Sequence, residues 1–161
     1  MNLKEKLVKL EHTIELHTGL QDFYGGVSQK AIQDAESALG ILFPFTYCWF
    51  LMTYGVGSFG DTELFGIFKN ADGKRHQIDS VPDVVWVTGA LQAKYNMPEN
   101  SFLICGDGMG RYYGVIASKD DRKMDGEVFV LDVDNGGHCE FAGCSLSVFL
   151  ELAVKEAIEG M

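Results

Sequence analysis

The chain has 161 residues, 47% hydrophobic and 22% charged, and its 13 basic against 23 acidic side chains leave a net charge of −10. That length can bury one full core and matches one domain, residues 1–161, and no run of about eighteen consecutive apolar residues occurs to span a bilayer. A field of this sign repels phosphate backbones and anionic lipid, which argues against direct nucleic-acid or membrane binding and favours a cationic partner; acidity as plain solubility is the competing reading.

Leu3, Leu7, Leu10 and Ile14 recur at four and three residues with Lys4, Lys6, Lys9 and Glu11 between them, which predicts an amphipathic helix lying on the core. The N-terminal Met-Asn-Leu-Lys-Glu-Lys-Leu lacks the unbroken apolar core of a secretory signal, so the chain is expected in the cytoplasm. Gly25-Gly26 breaks the chain, and Ser28 offers a cap to the next helix. From Ala31 to Phe68 the spacing of Ile32, Ala35 and Leu39, then of Tyr47, Phe50 and Leu51, predicts two short helices. Between them Gly40 can close the first in a left-handed conformation, and Pro44 suits the first turn of the second. Glycines 55, 57 and 60 then release the backbone, and Glu-Leu-Phe-Gly-Ile-Phe, residues 63–68, reads as the first strand of a sheet.

Asp83 to Tyr95 carries Val84, Val87, Leu91 and Tyr95 near helical spacing, against the β-branched character of Val84, Val85, Val87 and Thr88. It is expected as a helix. Beyond Pro98 come four short β-rich runs, 102–105, 112–116, 128–131 and 138–141, separated by Gly, Asp and Asn, which predicts an antiparallel meander. A last helix is expected from a Ser145 cap, with Leu146, Phe149, Leu150, Ala153, Val154 and Ala157 on one face. The fold class is therefore α+β, with N-terminal helices packed on a mainly antiparallel sheet and a closing C-terminal helix.

The order of motifs resembles the SUKH superfamily. Its carriers are Ala35-Glu36-x-x-Leu39-Gly40-x-x-x-Pro44, Phe50-Leu51, Tyr54-Gly55-x-Gly57-x-Phe59-Gly60 and Glu63-Leu64-Phe65-Gly66 in the first half. The second half adds Met97-Pro98-Glu99-Asn100, Gly106-Asp107-Gly108 before Tyr112-Tyr113-Gly114, Gly126-Glu127-Val128 and Ser145-Leu146-Ser147-Val148-Phe149-Leu150. The resemblance covers residues 28–154; the helix within residues 1–20 lies outside it, and Phe43 stands where the family usually has leucine. It implies a protein-binding module without catalysis. Many bacterial members look like immunity proteins that neutralise a specific toxin in the cytoplasm, often a nuclease, while fungal relatives regulate cell-wall synthesis. A basic toxin domain is the expected partner, and a regulatory or scaffold domain for a cellular protein and a small-ligand binder are the alternatives.

Catalytic, cofactor and metal sites are not expected. Gly106-Asp107-Gly108-Met109-Gly110 lacks the Lys-Ser/Thr of a Walker loop and precedes a strand, so it reads as a hairpin turn. Asp132-x-Asp134-x-Gly136 has Gly143 where a calcium loop needs glutamate, and reads as a turn. His138, Cys139 and Cys144 fit no closed zinc pattern, and a strand would turn His138 and Cys139 to opposite faces. Cys48, Cys105, Cys139 and Cys144 are expected as buried thiols in a reducing compartment. His12, His17, His76 and His138 lie in no catalytic segment, and Asp120-Asp121-Arg122-Lys123 reads as a solvated turn.

For a docking partner, Asp61 and Glu63 border the glycine-rich exit from the second helix of the 31–68 stretch, and Asp79, Asp83 and Trp86 follow a loop. Carboxylates around an exposed aromatic make an anchor with a polar rim. The competing reading buries Trp86 and uses the carboxylates as helix caps. Arg111 and Tyr112, beside the 106–110 turn, form a second candidate edge.

Overall fold

The computed structural model describes all of residues 1–161. Its helices are α1 (Leu3–Leu16), α2 (Gln29–Leu39), α3 (Phe45–Thr53), α4 (Val84–Gln92) and α5 (Leu146–Glu159). Its strands are β1 (Gln21–Phe23), β2 (Gly57–Phe59), β3 (Thr62–Leu64), β4 (Phe68–Lys69), β5 (Arg75–His76), β6 (Ser101–Gly106), β7 (Arg111–Ile116), β8 (Glu127–Asp132) and β9 (His138–Ser145). Seven strands make one antiparallel sheet in the order β1-β2-β3-β6-β7-β8-β9, and β4 and β5 pair apart from it. This is the expected α+β arrangement, with the meander formed by β6 to β9 and α5 closing the chain. No helix is long and apolar enough to cross a membrane.

The helix signals act where the residues place them. Ser28 accepts the Ala31 N–H at 3.2 Å, and Gly40 ends α2 at φ 70 while its N–H donates to the Glu36 carbonyl at 2.8 Å. Pro44 stands one place earlier than expected, as the cap of α3 with φ −57. Leu7, Leu10 and Ile14 of α1 are buried, as their spacing requires. The core is built on aromatic pairs: Phe102 of β6 meets Phe43 at 4.9 Å and Tyr47 of α3 at 4.7 Å, and Tyr113 of β7 meets Phe149 of α5 at 5.2 Å. The buried rings, Phe43, Tyr47 and Phe102, each contribute about 1.5–3 kcal/mol through lost water contact, and half-buried Tyr113 and Phe149 contribute less. The Tyr47 hydroxyl keeps its polarity satisfied by donating to the Phe65 carbonyl at 2.7 Å.

Two further expectations need correction. The segment 63–68 is neither the first strand nor one strand, because β1 and β2 precede it and β3 ends at Leu64. The chain turns away there because a Cβ at Gly66 would stand 1.8 Å from the Gly55 carbonyl oxygen, so the two glycine motifs interlock backbone to backbone. Gly66 and Ile67 then donate to Pro82 and Gly55. With β3 this short, the Leu103 N–H of β6 is taken by the Thr88 hydroxyl of α4 at 3.0 Å. Ser145 has the backbone of a cap but makes no capping bond. Asp125 replaces it, accepting the Ser147 N–H at 2.8 Å and the Ser147 hydroxyl at 2.6 Å while also holding the Thr46 hydroxyl at 2.9 Å.

Candidate protein-binding surface

Asp83 does not belong to any surface. Its carboxylate is 1% exposed and caps α4, with Oδ1 accepting the Val85 and Trp86 N–H groups at 2.9 and 3.0 Å and Oδ2 accepting the Ile78 N–H at 3.3 Å. Arg75 Nη2 lies 3.6 Å from the same carboxylate, so the charge is balanced in place. The placement follows from the helix start, where free N–H groups favour a carboxylate. Asp83 thereby positions Trp86 and leaves it outward. Trp86 is 39% exposed, too open for a core residue.

Beside Trp86 lies a groove of about 440 Å³, lined by Arg75, Gln77, Asp79, Trp86, Gly89 and Ala90 among others. Trp86, Gly89 and Ala90 share a helix face because they stand three and four residues apart. Asp79 Oδ1 accepts from Gln77 Nε2 at 3.1 Å, which fixes the carboxylate at the groove. Arg75, Gln77, Gly89 and Ala90 escaped sequence reading, although the helical spacing of Gly89 and Ala90 from Trp86 was a usable signal.

The other nominated residues gather elsewhere. Leu64 of β3 pairs with Cys105 of β6, and Gly106 pairs with Tyr112 of β7, so the register brings Glu63 and Tyr112 to the same end of the sheet. Asp61 sits in the turn that leads into β3, next to a cleft of about 330 Å³ against the end of α5. Tyr112 is half-buried, its ring 6.3 Å from Phe65. Arg111 is exposed and lies 3.9 Å from Asp132. Asp107 holds the 106–110 turn by accepting from the Met109 and Arg111 N–H groups, so that segment is the hairpin its glycines predict. With Asp134 packed against Gly110, this end of the sheet collects Glu63, Asp107, Asp132 and Asp134 around one arginine. Between α1 and α5 a cleft of about 510 Å³ mixes both signs, with Lys6, Lys9 and Lys155 beside Glu151 and Glu159.

The reactive side chains are poorly set for chemistry. Burial pushes the Cys48 thiol up to about 11 and the Cys105 thiol up to about 12, the opposite of an activated nucleophile. Cys139 and Cys144 are half-buried, not buried as expected, and burial raises them too. None of the four histidines shares a hydrogen bond with a cysteine; His17 Nδ1 meets the Thr13 carbonyl at 2.9 Å and His138 lies 3.7 Å from Glu140. No three His, Cys, Asp or Glu side chains stand close enough to hold a metal ion. Arg122 departs from the solvated turn expected of residues 120–123, since its Nη1 donates to Glu36 at 2.7 Å and to the Phe43 carbonyl at 2.8 Å.

No curated protein matches the chain in sequence. The family described as SMI1-KNR4 cell-wall, SUKH_5, matches residues 5–154, which reaches past the motif-bearing segment 28–154 to take in nearly all of α1. Across that span the motifs have structural work to do: Glu36 binds the 40–44 joint, Gly55 and Gly66 interlock, and the 106–110 turn joins β6 to β7. The chain belongs to the SMI1-KNR4 (SUKH) family.

Proposed function

We propose that this protein is a non-catalytic, cytoplasmic immunity protein that binds a basic toxin domain, often a nuclease, and neutralises it by covering the surface that would meet nucleic acid. The observation that carries the reading is family membership over residues 5–154 in a chain with a net charge of −10. Such a charge accelerates encounter with a cationic protein and opposes encounter with nucleic acid itself. The acidic end of the sheet and the open face of Trp86 supply polar and aromatic contact groups of the kinds that interfaces use.

Co-expression tests it. A toxin domain encoded beside this gene should arrest growth alone, spare the cell when this protein is present, and purify with it as a one-to-one complex. Continued arrest with abundant soluble protein would count against the reading. The cell-wall description of the family favours a second reading, a regulatory domain with an endogenous partner. Capture of one cellular protein from the native cell, with no toxin gene nearby, would favour that instead.

A further inference from the structure

Resting on the protein-binding reading above, we infer that the Trp86 groove is a subsite for one arginine side chain of the partner, with its guanidinium stacked on the indole and facing Asp79. The charge of the groove decides the sign of its occupant. Arg75 is the only cation lining it, is 13% exposed at its side chain, and already stands 3.6 Å from buried Asp83. Asp79 has no cation within ion-pair distance and only a neutral neighbour, Gln77, bonded to Oδ1. Asp79 is therefore left without an ion-pair partner, beside a tryptophan that is 39% exposed.

The shape narrows the cation. Nothing stands within 4 Å of the place where a Cβ at Gly89 would be, so the helical turn next to Trp86 is open. A quaternary ammonium is held by several ring faces, and Trp86 is the one aromatic side chain in this groove. A flat guanidinium needs only one face and a carboxylate at its edge, and it sheds water more readily than a lysine ammonium. Asp83 holds the Trp86 backbone at 3.0 Å and Gln77 donates to Asp79 at 3.1 Å, so both receiving groups stand at the groove before a partner arrives.

N-acetyl-arginine amide is a probe that needs no partner. With two tryptophans in the chain, an amide-correlation NMR spectrum shows two indole N–H signals, and Trp86→Phe identifies the one to follow. That signal should shift saturably with millimolar affinity, and binding should weaken about fivefold in Asp79→Asn and for the uncharged citrulline analogue. Choline should bind no better than citrulline. A Trp86 signal that ignores the arginine probe, an equal response to citrulline, tighter binding of choline, or an unchanged Asp79→Asn would overturn the subsite. In the partner complex, Trp86→Ala and Asp79→Asn should each raise Kd about tenfold. A complex indifferent to both would overturn the subsite and leave the immunity reading standing, whereas loss of the immunity reading would leave the probe titration as it is.

Discussion

Glu36 and Arg122, 86 positions apart, meet at 2.7 Å between Oε2 and Nη1, and the Phe43 backbone completes the knot with its N–H on Glu36 at 2.7 Å and its carbonyl on Arg122 at 2.8 Å. Glu36 is 5% exposed while the Arg122 side chain is 39% exposed, so the loop between β7 and β8 is fastened to the joint between α2 and α3 by a surface arginine laid over a buried carboxylate. Arg122→Met removes the partner and strands the carboxylate, at a cost of about 2–3 kcal/mol in urea unfolding. Glu36→Gln in that background should recover part of the loss. A double variant no better than Arg122→Met would show that the stranded charge is not the cause.

Asp125 joins the starts of α3 and α5 through three hydrogen bonds, two of them to hydroxyls of fully enclosed Thr46 and Ser147. Asp125→Ala strands the Ser147 N–H and leaves the hydroxyls only longer contacts, Thr46 with the Met124 carbonyl at 3.3 Å and Ser147 with Ser145 Oγ at 3.4 Å, which should cost about 1–3 kcal/mol. Ser145→Ala, at the residue whose sequence suggests the cap, should cost far less because it caps nothing. Thermal unfolding of the two variants side by side decides the assignment.

Tyr54 is enclosed with a hydroxyl that no protein group partners. Its ring packs at 4.5 Å from Phe23 and 5.9 Å from Phe50, so the aromatic body contributes to the core while the oxygen does not. Tyr54→Phe should be neutral or stabilising by up to about 1 kcal/mol. A clear fall in melting temperature would reveal a bond that this geometry lacks.

Alkaline pH should loosen the protein through its thiols. Desolvation raises Cys48 from 9.0 to about 11, with Arg122 opposing and Glu36 adding, and raises Cys105 from 9.0 to about 12, with Glu63 and Asp107 adding. The unfolded chain ionises first, so the stability held by these neutral thiols is complete below pH 9.0 and is lost as pH climbs toward about 11 and about 12. One unit above the unfolded value the loss is about 1 kcal/mol for each thiol. Urea unfolding at rising pH checks this, and Cys48→Ala with Cys105→Ala should flatten the decline. At neutral pH, half-buried Cys139 and Cys144 should react with a thiol reagent before the other two.

Much of the fold is legible where apolar spacing is regular. Leu7, Leu10 and Ile14 mark α1, Gly40 ends α2, and the runs around Phe102, Tyr113 and Phe129 mark strands of the meander. Strands β1 and β2 are three residues each and too short to alternate, so nothing in their composition separates them from loop. The Glu36–Arg122 pair has no period at all, since tertiary folding alone brings its members together. At the candidate surface, Asp79 and Trp86 share a groove as their place after the loop suggests, whereas Asp83 obeys the capping rule and turns inward. Arg75 and Gln77 were invisible because β5 is two residues long, too short to alternate, and Gln77 lies in the loop after it.

Titration of this protein into the proposed partner, a basic toxin domain encoded beside its gene, following the toxin's own activity, tests the central claim most directly. Activity should fall to background at one equivalent, with an association rate that drops steeply as salt rises because opposite charge drives the encounter. Undiminished toxin activity at saturating protein would contradict it.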